Sequence, residues 1–241
     1  HLRRFQKIHP RDQRDWVSPC GSGSNALVQE AIAATYGMVE MIDDAVGRIL
    51  DHLDRTDQRA NTIIVFTSDH GDMMGDHGLM LKGFMHYRGT LHVPMVISVP
   101  GQKPNRTAAL ASSIDLGPTL LEICGIQGYD GIQGYSLNSL IQDPDASVRE
   151  SVLIEDDIAP VVASLTPIPA KTRTVITDTH RYTRNSKREE QLIDLIADPD
   201  ECENHAETDA GARALAIERL TDALIAADDA ARGAPVDARY A

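Results

Sequence analysis

Between residues 25 and 53 hydrophobic side chains recur at steps of three and four, which predicts one long amphipathic helix. The apolar stripe of this helix consists of Ile32, Tyr36, Val39, Ile42, Val46, Ile49 and Leu53. Acidic residues fall mainly off the stripe, so we interpret them as a solvent-facing surface. Residues 1–25, which prolines and glycines interrupt, predict an irregular loop.

Residues 63–66 form a short run of β-branched and aromatic side chains, which predicts a buried strand. A Ser-Asp-His-Gly sequence follows at residues 68–71. Because the parallel strands of open α/β sheets end at the ligand crevice, we expect this polar cluster to lie beside a binding site. Residues 93–101 predict a second buried strand. The order of these elements favours an α/β layered core.

The second part of the chain has a different pattern. Residues 112–125 predict a short helix with Asp115 as its N-cap, and two nearly identical glycine-rich hexapeptides at residues 125–136 predict a surface loop. Strand-like runs then lie at residues 151–154, 172–177, 181–183 and 191–195, and a helical pattern covers residues 215–227. We therefore expect two domains, residues 1–150 and residues 151–241. The second is predicted to be a small subdomain of short antiparallel strands plus a helix.

The composition narrows the class of partner. The formal net charge of −13 at pH 7 argues against a nucleic acid or an anionic membrane as the main partner. No apolar run approaches the ~20 residues of a membrane-spanning helix. The three cysteines, Cys20, Cys124 and Cys202, are far apart and form no CxxC motif. They therefore indicate neither a disulfide framework nor a zinc–thiolate site.

Asp69 and His70 carry the chemistry that the sequence predicts most directly. A carboxylate oxygen and a neutral imidazole nitrogen are both good ligands for a divalent cation, and Gly71 permits a sharp turn behind them. We interpret Asp69 and His70 as half of a metal site. Asp76 and His77 are better explained as hydrogen-bonding residues of the loop that follows. The alternative is a zinc site built from His70, His77 and two aspartates, which lacks a recognised ligand spacing.

Seven segments of the chain stand in an order that is typical of one family. The segments are YGMVEMIDDAVGRIL (36–50), TSDHGDMMGDHG (67–78), KGFMHYRGTLHVP (82–94), SIDLGPTLL (113–121), GYSL (134–137), TDTHRYT (177–183) and DLIADPDE (194–201). Together they cover roughly residues 30–205. They resemble the C-terminal half of the sulfatase family, within the alkaline-phosphatase-like superfamily.

The resemblance implies part of an alkaline-phosphatase-like layered α/β sheet with flanking helices, plus a small C-terminal α+β subdomain. It also implies hydrolysis of a sulfate ester with one divalent cation, usually calcium, held partly by Asp69 and His70. Lys82 matches the lysine that binds a sulfate oxygen and stabilises the leaving oxygen. His86 stands where a subset of the family carries His-Tyr, which implies that it lines the pocket. From the residues alone, a structural role for His86 is the alternative.

The sequence departs from the family pattern at the nucleophile. Sulfatases use a cysteine in a Cys-x-Pro/Ser-x-Arg motif, converted to formylglycine, and none of the three cysteines has that context. The N-terminal pair of acidic metal ligands is also absent. We therefore expect the C-terminal part of a longer enzyme, with the N-terminal half of the same protein as its partner. Alone, this part is expected to be inactive and to bind metal weakly.

The substrate implied for the full-length enzyme is a small-molecule or glycan sulfate ester. Two alternatives stay open. One is a phosphonate monoester or phosphodiester hydrolase of the same superfamily, with manganese in place of calcium. The other is a non-catalytic module that keeps the sulfatase-like scaffold for binding or assembly.

Overall fold

The computed structural model describes residues 26–82, 85–159, 161 and 169–232. In chain order the elements are helix α1 (Ala26–Arg55), strand β1 (Ile64–Thr67), helix α2 (Arg88–Leu91), strand β2 (Met95–Ser98), helix α3 (Leu116–Ile123), helix α4 (Asn138–Gln142), strands β3 (Val152–Asp157), β4 (Lys171–Ile176), β5 (His180–Asn185) and β6 (Glu190–Asp194), and helix α5 (Ala210–Arg232). This mixture of helices and sheets confirms the predicted fold class. The loop predicted for residues 1–25 lies outside the described residues.

The chain forms two compact units, which divide between Gln102 and Lys103. The predicted domain boundary at residues 150 and 151 stays a prediction for the protein as a whole. No helix in the part of the chain that the structure describes has the length and apolar character needed to cross a membrane.

In the first unit, β1 and β2 pair in antiparallel fashion. Thr67 lies opposite Met95, so the carboxyl end of β1 adjoins the amino end of β2. The two strands described in this unit therefore form an antiparallel pair, and the binding site expected at the carboxyl end of β1 stays a prediction. The two strands are also half-exposed where they were predicted to be buried, with Phe66 41% and Val96 57% exposed. The physical reason is that a two-stranded ribbon can cover its apolar faces only with additional layers.

The long helix α1 has the predicted span, but most of its apolar stripe lies open. Among its described residues, Val28 and Ala31 are buried. Tyr36 is 71% exposed, Ile42 53% and Ile49 61%. A stripe of this width is normally buried against a neighbouring element, so the open part of α1 is an unusually apolar surface.

In the second unit, strands β3, β4, β5 and β6 form a sheet in sequence order with antiparallel neighbours. Helix α5 packs on this sheet and closes the core. The buried core residues are Val175, Tyr182, Leu192, Ala206, Ala216 and Leu220. Each strand alternates its side chains between two faces, and the face toward α5 carries Val175, Tyr182 and Leu192. This arrangement corresponds to the predicted α+β subdomain.

Asp115 stands at the predicted N-cap position of α3, but its side chain bonds to other parts of the fold. Its carboxylate lies fully buried and accepts the backbone N–H of Ser112 at 2.7 Å, which completes a capping box around the 3₁₀ turn before α3. The other carboxylate oxygen accepts the N–H of Tyr135 at 2.8 Å and binds the Arg149 guanidinium. Asp115 makes no side-chain hydrogen bond to cap α3 itself. It ties the glycine-rich loop to the start of the helix instead.

Candidate functional site

The Asp69–His70 pair lies directly beyond the carboxyl end of β1, and the two side chains converge. Asp69 Oδ2 lies 3.4 Å from His70 Nε2. The backbone N–H of His70 donates to Asp69 Oδ1 at 2.9 Å, and the Ser68 hydroxyl donates to the His70 carbonyl at 2.9 Å. These short-range bonds fix the turn in which the carboxylate and the imidazole are presented side by side.

The other ring nitrogen of His70 determines what Nε2 can do. His70 Nδ1 lies 2.9 Å from the carbonyl oxygen of Gly71. Because a carbonyl oxygen can only accept, Nδ1 carries the proton, and a neutral ring then has its lone pair on Nε2. A hydrogen bond from one ring nitrogen to a backbone carbonyl is the usual support for a histidine that binds metal through the other.

Asp69 is ionised over a wide pH range. The backbone N–H of His70 lowers the pKa of the Asp69 carboxyl, and the charge that the His70 ring carries when protonated acts in the same direction. Both side chains are open to solvent, with Asp69 83% and His70 41% exposed. The pair therefore presents one hard anionic oxygen and one nitrogen lone pair outward, and both fit a divalent cation.

Two ligands do not complete the coordination shell of a divalent cation. Within the described stretches of the chain, no three His, Cys, Asp or Glu side chains come together in a group that could hold a metal. The alternative zinc site from His70, His77 and two aspartates is therefore wrong. His77 instead stacks on Tyr87, with ring centroids 3.8 Å apart. A cation held by Asp69 and His70 would need further ligands from outside the residues described here.

Gly71 joins the Asp69–His70 pair to helix α2. Its N–H donates to the Thr90 carbonyl at 2.8 Å. A Cβ atom at residue 71 would lie 2.0 Å from the carbonyl oxygen of Gly89, well inside any van der Waals contact. Only glycine lets the two backbone segments approach this closely. The sequence suggested a sharp turn at Gly71, and the structure adds this close approach.

A loop of residues 72–81 leaves Gly71 and returns beside it. The Met73 N–H donates to the Leu81 carbonyl at 3.0 Å, and the Leu81 N–H donates to Asp72 Oδ1 at 3.0 Å. Lys82 follows Leu81 and is exposed. The loop thus brings the backbone of the predicted lysine back to the segment that carries Asp69 and His70.

The packing of α1 supports the same loop. Val28 Cγ1 lies 2.7 Å from the place where a Cβ of Gly75 would stand, and Gly75 has a φ of +103°. The Thr35 hydroxyl lies 3.8 Å from the Met74 sulfur. Gly75 therefore satisfies two demands, since it supplies the left-handed backbone and the space that Val28 fills.

His86 differs from the other predicted site residues because it is buried, with 5% of its surface exposed. Thr90, four residues later, is buried as well and donates its hydroxyl to the Met85 and Tyr87 carbonyls at 2.8 and 2.9 Å. His86 is thus a buried residue of this segment, and its predicted place in the pocket and its catalytic role stay predictions.

Asp72 is the residue that the sequence reasoning did not single out. Its carboxylate accepts hydrogen bonds from residues on both ends of the loop, Met74 and Leu81. An aspartate followed by glycine-punctuated sequence is a signal for side-chain-to-backbone bonding within a loop. The partner nine positions away, however, cannot be recognised from local spacing.

Comparison with solved structures places the fold in the alkaline-phosphatase-like class. A phosphonate monoester hydrolase of Agrobacterium radiobacter is 28% identical, with a TM-score of 0.67 over 81% of this chain and 40% of that chain. The phosphonate monoester hydrolase SpPMH from Silicibacter pomeroyi shares the fold, with a TM-score of 0.74 and 24% identity over 92% of this chain and 46% of that chain.

The sequence comparisons define the family. The sulfatase family profile matches residues 3–126, and the profile described as N-sulphoglucosamine sulphohydrolase, C-terminal, matches residues 75–227. The chain belongs to the sulfatase family. It is 33% identical over 183 residues to an arylsulfatase of Clostridium perfringens, and 33% identical over 187 residues to a choline-sulfatase of Rhizobium meliloti (strain 1021).

These alignments cover most of this chain and only part of each relative. They span 73% of the chain against 36% of the arylsulfatase, and 76% of the chain against 35% of the choline-sulfatase. The chain thus corresponds to little more than a third of the curated relatives it matches.

Proposed function

We propose that this chain is the part of a sulfuric ester hydrolase that supplies two metal ligands and the leaving-group lysine. The observation that carries the proposal is the convergence of Asp69 Oδ2 and His70 Nε2, 3.4 Å apart at the end of β1. Membership of the sulfatase family supplies the reaction class, the hydrolysis of a sulfate ester.

Asp69 and His70 are the residues that would hold the cation. Asp69 contributes Oδ2, because its Oδ1 already accepts the His70 N–H. His70 contributes Nε2, because its Nδ1 is engaged with the Gly71 carbonyl. When bound, a divalent cation neutralises the negative charge that develops on sulfate oxygens in the transition state.

Lys82 is assigned to the sulfate group itself. Cleavage of a sulfate ester leaves negative charge on the departing oxygen, and an ammonium group held nearby stabilises that charge and can donate a proton to it. The support for this role is the return of the loop to Gly71, together with the exposed position of Lys82. Exposure leaves the ammonium free to reach a substrate anion.

The partner that completes the site is the N-terminal half of the same protein, which would bring the nucleophile and the remaining metal ligands. The open apolar stripe of α1 supports this assignment, and so do the exposed side chains on β1 and β2. These surfaces are what a layered α/β fold buries against its other strands and helices. The short coverage of the relatives supports it independently.

Calcium is the proposed cation, as is usual for sulfatases. A second candidate has support from the ligand type: an imidazole nitrogen suits manganese better than calcium, which prefers an all-oxygen shell. The likeness to the phosphonate monoester hydrolase of Agrobacterium radiobacter favours the same alternative. The second candidate function is therefore a manganese-dependent phosphonate monoester or phosphodiester hydrolase.

The proposed substrate is a small-molecule or glycan sulfate ester. The net charge of −13 is unfavourable for a polyanion such as a nucleic acid, so we propose none as a partner. A substrate with a single sulfate group can still bind through the cation and Lys82. The organic part of the substrate would be selected by the portion that covers the site.

The test is the hydrolysis of an aryl sulfate and of a phenylphosphonate monoester by the full-length protein, each with calcium and with manganese. Faster turnover of the sulfate with calcium supports the proposal. Much faster turnover of the phosphonate with manganese supports the second candidate. Turnover of neither substrate, by a folded protein with cation bound, would identify a non-catalytic module.

A further inference from the structure

The Asp72 carboxylate organises the loop that links the predicted metal ligands to Lys82. Its Oδ1 accepts the N–H of Met74 at 2.9 Å and the N–H of Leu81 at 3.0 Å. The Leu81 carbonyl accepts the N–H of Met73 at 3.0 Å. Leu81 is thus tied through both its N–H and its C=O to the two residues that follow Gly71.

The loop needs such a tie because its backbone is unfavourable on its own. Met74, His77 and Leu81 have φ values of 48°, 53° and 67°, in the left-handed region that residues other than glycine rarely adopt. A conformation of this kind persists only where surrounding contacts determine it, and it is concentrated at functional sites. The stacking of His77 on Tyr87 contributes at the middle of the loop. The Asp72 carboxylate contributes at the two ends.

The tie lies one residue away from the lysine. Because Lys82 is joined directly to Leu81, whatever fixes the Leu81 peptide also fixes where the lysine side chain starts. The side chain itself is exposed. A long, exposed lysine whose backbone is also loose would sample many positions and spend little time over a substrate anion.

We propose that Asp72 is the positioning residue for Lys82, acting through the Leu81 peptide as a double hydrogen-bond acceptor. This inference rests on the proposed function, in which Lys82 contacts the sulfate group. Asp72 itself touches neither substrate nor cation in this assignment. What matters is an acceptor oxygen at this point, so an asparagine carbonyl at position 72 can replace the carboxylate.

The test is a double-mutant cycle in the full-length protein with an aryl sulfate as substrate. Asp72→Ala should lower kcat by about 10- to 100-fold, the range expected when a catalytic group is displaced by about an ångström. In a Lys82→Ala background the same substitution should have little further effect, because the group that it positions is already gone. Asp72→Asn should retain most of the wild-type kcat.

Amide hydrogen exchange supplies a readout that does not depend on turnover. Asp72→Ala should speed exchange at the Leu81 and Met74 amides, and Asp72→Asn should leave both amides protected. Asp51→Ala is the control, since it removes an exposed carboxylate from helix α1 and leaves the Asp72 hydrogen bonds in place. It should leave kcat and both amides near the wild-type values.

Three outcomes would overturn the inference. One is a fold-loss of kcat in the double variant that equals the product of the losses in the two single variants, which would show that Asp72 acts on a group other than Lys82. Another is a loss of activity in Asp72→Asn as large as in Asp72→Ala, which would show that the charge is required. The third is unchanged exchange at Leu81 in Asp72→Ala. A wild-type protein without sulfatase turnover would instead contradict the proposed function, and the exchange data would still report on the loop.

Discussion

Gly71 is the position at which one added methyl group would disturb the site most directly. A Cβ there would meet the Gly89 carbonyl oxygen at 2.0 Å, so either the turn or helix α2 must shift. We expect Gly71→Ala to destabilise the protein by about 1–3 kcal/mol, the usual cost of overpacking, and to weaken calcium binding through displacement of His70. Urea unfolding and calcium titration measure the two effects.

A matched control for this substitution lies at Gly37, where an added Cβ meets nothing within 4 Å. Gly37→Ala, within helix α1, should be neutral or slightly stabilising, since alanine has the higher helix propensity. Equal effects of the two substitutions would contradict the close approach at Gly71.

Lys82 provides a second prediction at the residue scale. Lys82→Ala should lower kcat for an aryl sulfate by about 100- to 1,000-fold, the size of effect seen when one transition-state donor is removed. Lys82→Arg keeps the charge with a different shape and should recover only part of the rate. Steady-state kinetics with the full-length protein measures both variants.

If Lys82→Ala instead raised KM and left kcat unchanged, the lysine would contribute uniform binding and not leaving-group stabilisation. An unchanged kcat and KM would place Lys82 among ordinary surface lysines. Unfolding free energies should be the same for the wild type and both variants, because the side chain is exposed.

At the scale of single elements, the buried Arg181–Glu201 pair joins strand β5 to the segment after β6. Arg181 Nε lies 2.6 Å from Glu201 Oε1, and the two side chains are 1% and 3% exposed. Glu201→Ala leaves the guanidinium without its carboxylate, so we expect a loss of about 3–5 kcal/mol in the free energy of unfolding. Glu203→Ala, at a side chain that is 76% exposed, should cost less than about 0.5 kcal/mol.

The contact between α5 and β6 should depend on pH. Arg213 donates to Glu190 at 2.5 Å, and this hydrogen bond holds the pKa of the Glu190 carboxyl below its ordinary value. A carboxyl whose pKa is lowered by folding contributes stability above its unfolded pKa of about 4.3, and loses that contribution as the pH falls through the folded value. Glu190→Gln should therefore destabilise this contact at pH 7.

The destabilisation by Glu190→Gln should shrink as the pH falls below about 4. Native-state amide exchange in β5 and β6, measured at pH 7 and at a pH below about 4, reports the local loss of stability separately from the rest of the protein. A difference between variant and wild type that stays constant with pH would contradict the role of the ionised carboxylate.

The elements themselves could largely be predicted from hydrophobic periodicity. The apolar stripe predicted that α1 is a helix, and the strand-like runs predicted the strands after residue 150, because both patterns depend on local spacing. The antiparallel pairing of β1 with β2 could not be predicted, since a run of four residues carries no information about its partner. Asp115 was expected to cap α3, and its contacts with Tyr135 and Arg149 depend on the fold around it.

The candidate site likewise has one part that the sequence predicts and one part that it does not. Asp69 and His70 are adjacent, so their common position follows from the sequence alone. The role of Asp72 depends on Leu81, nine positions away, and on left-handed backbone at residues that are not glycine. Such a loop is determined by contacts between its ends, and no periodic pattern records them.

At the scale of the whole molecule, the chain has an exposed apolar helix face and also a candidate metal site with only two ligands among the described residues. Both are explained if this chain covers about a third of a larger sulfatase-like protein, as the share of its relatives indicates. The portion that covers α1, β1 and β2 would then also complete the coordination of the cation. The full-length protein should therefore be more stable than this chain alone and should also bind the cation more tightly.

The most direct test is the calcium concentration that gives half-maximal turnover of an aryl sulfate by metal-stripped full-length protein, compared with its His70→Ala variant. We expect that chelation abolishes turnover, that calcium restores it, and that the variant needs at least about tenfold more calcium. Turnover that survives chelation, or an identical calcium dependence in the wild type and the variant, would contradict a metal site built on Asp69 and His70.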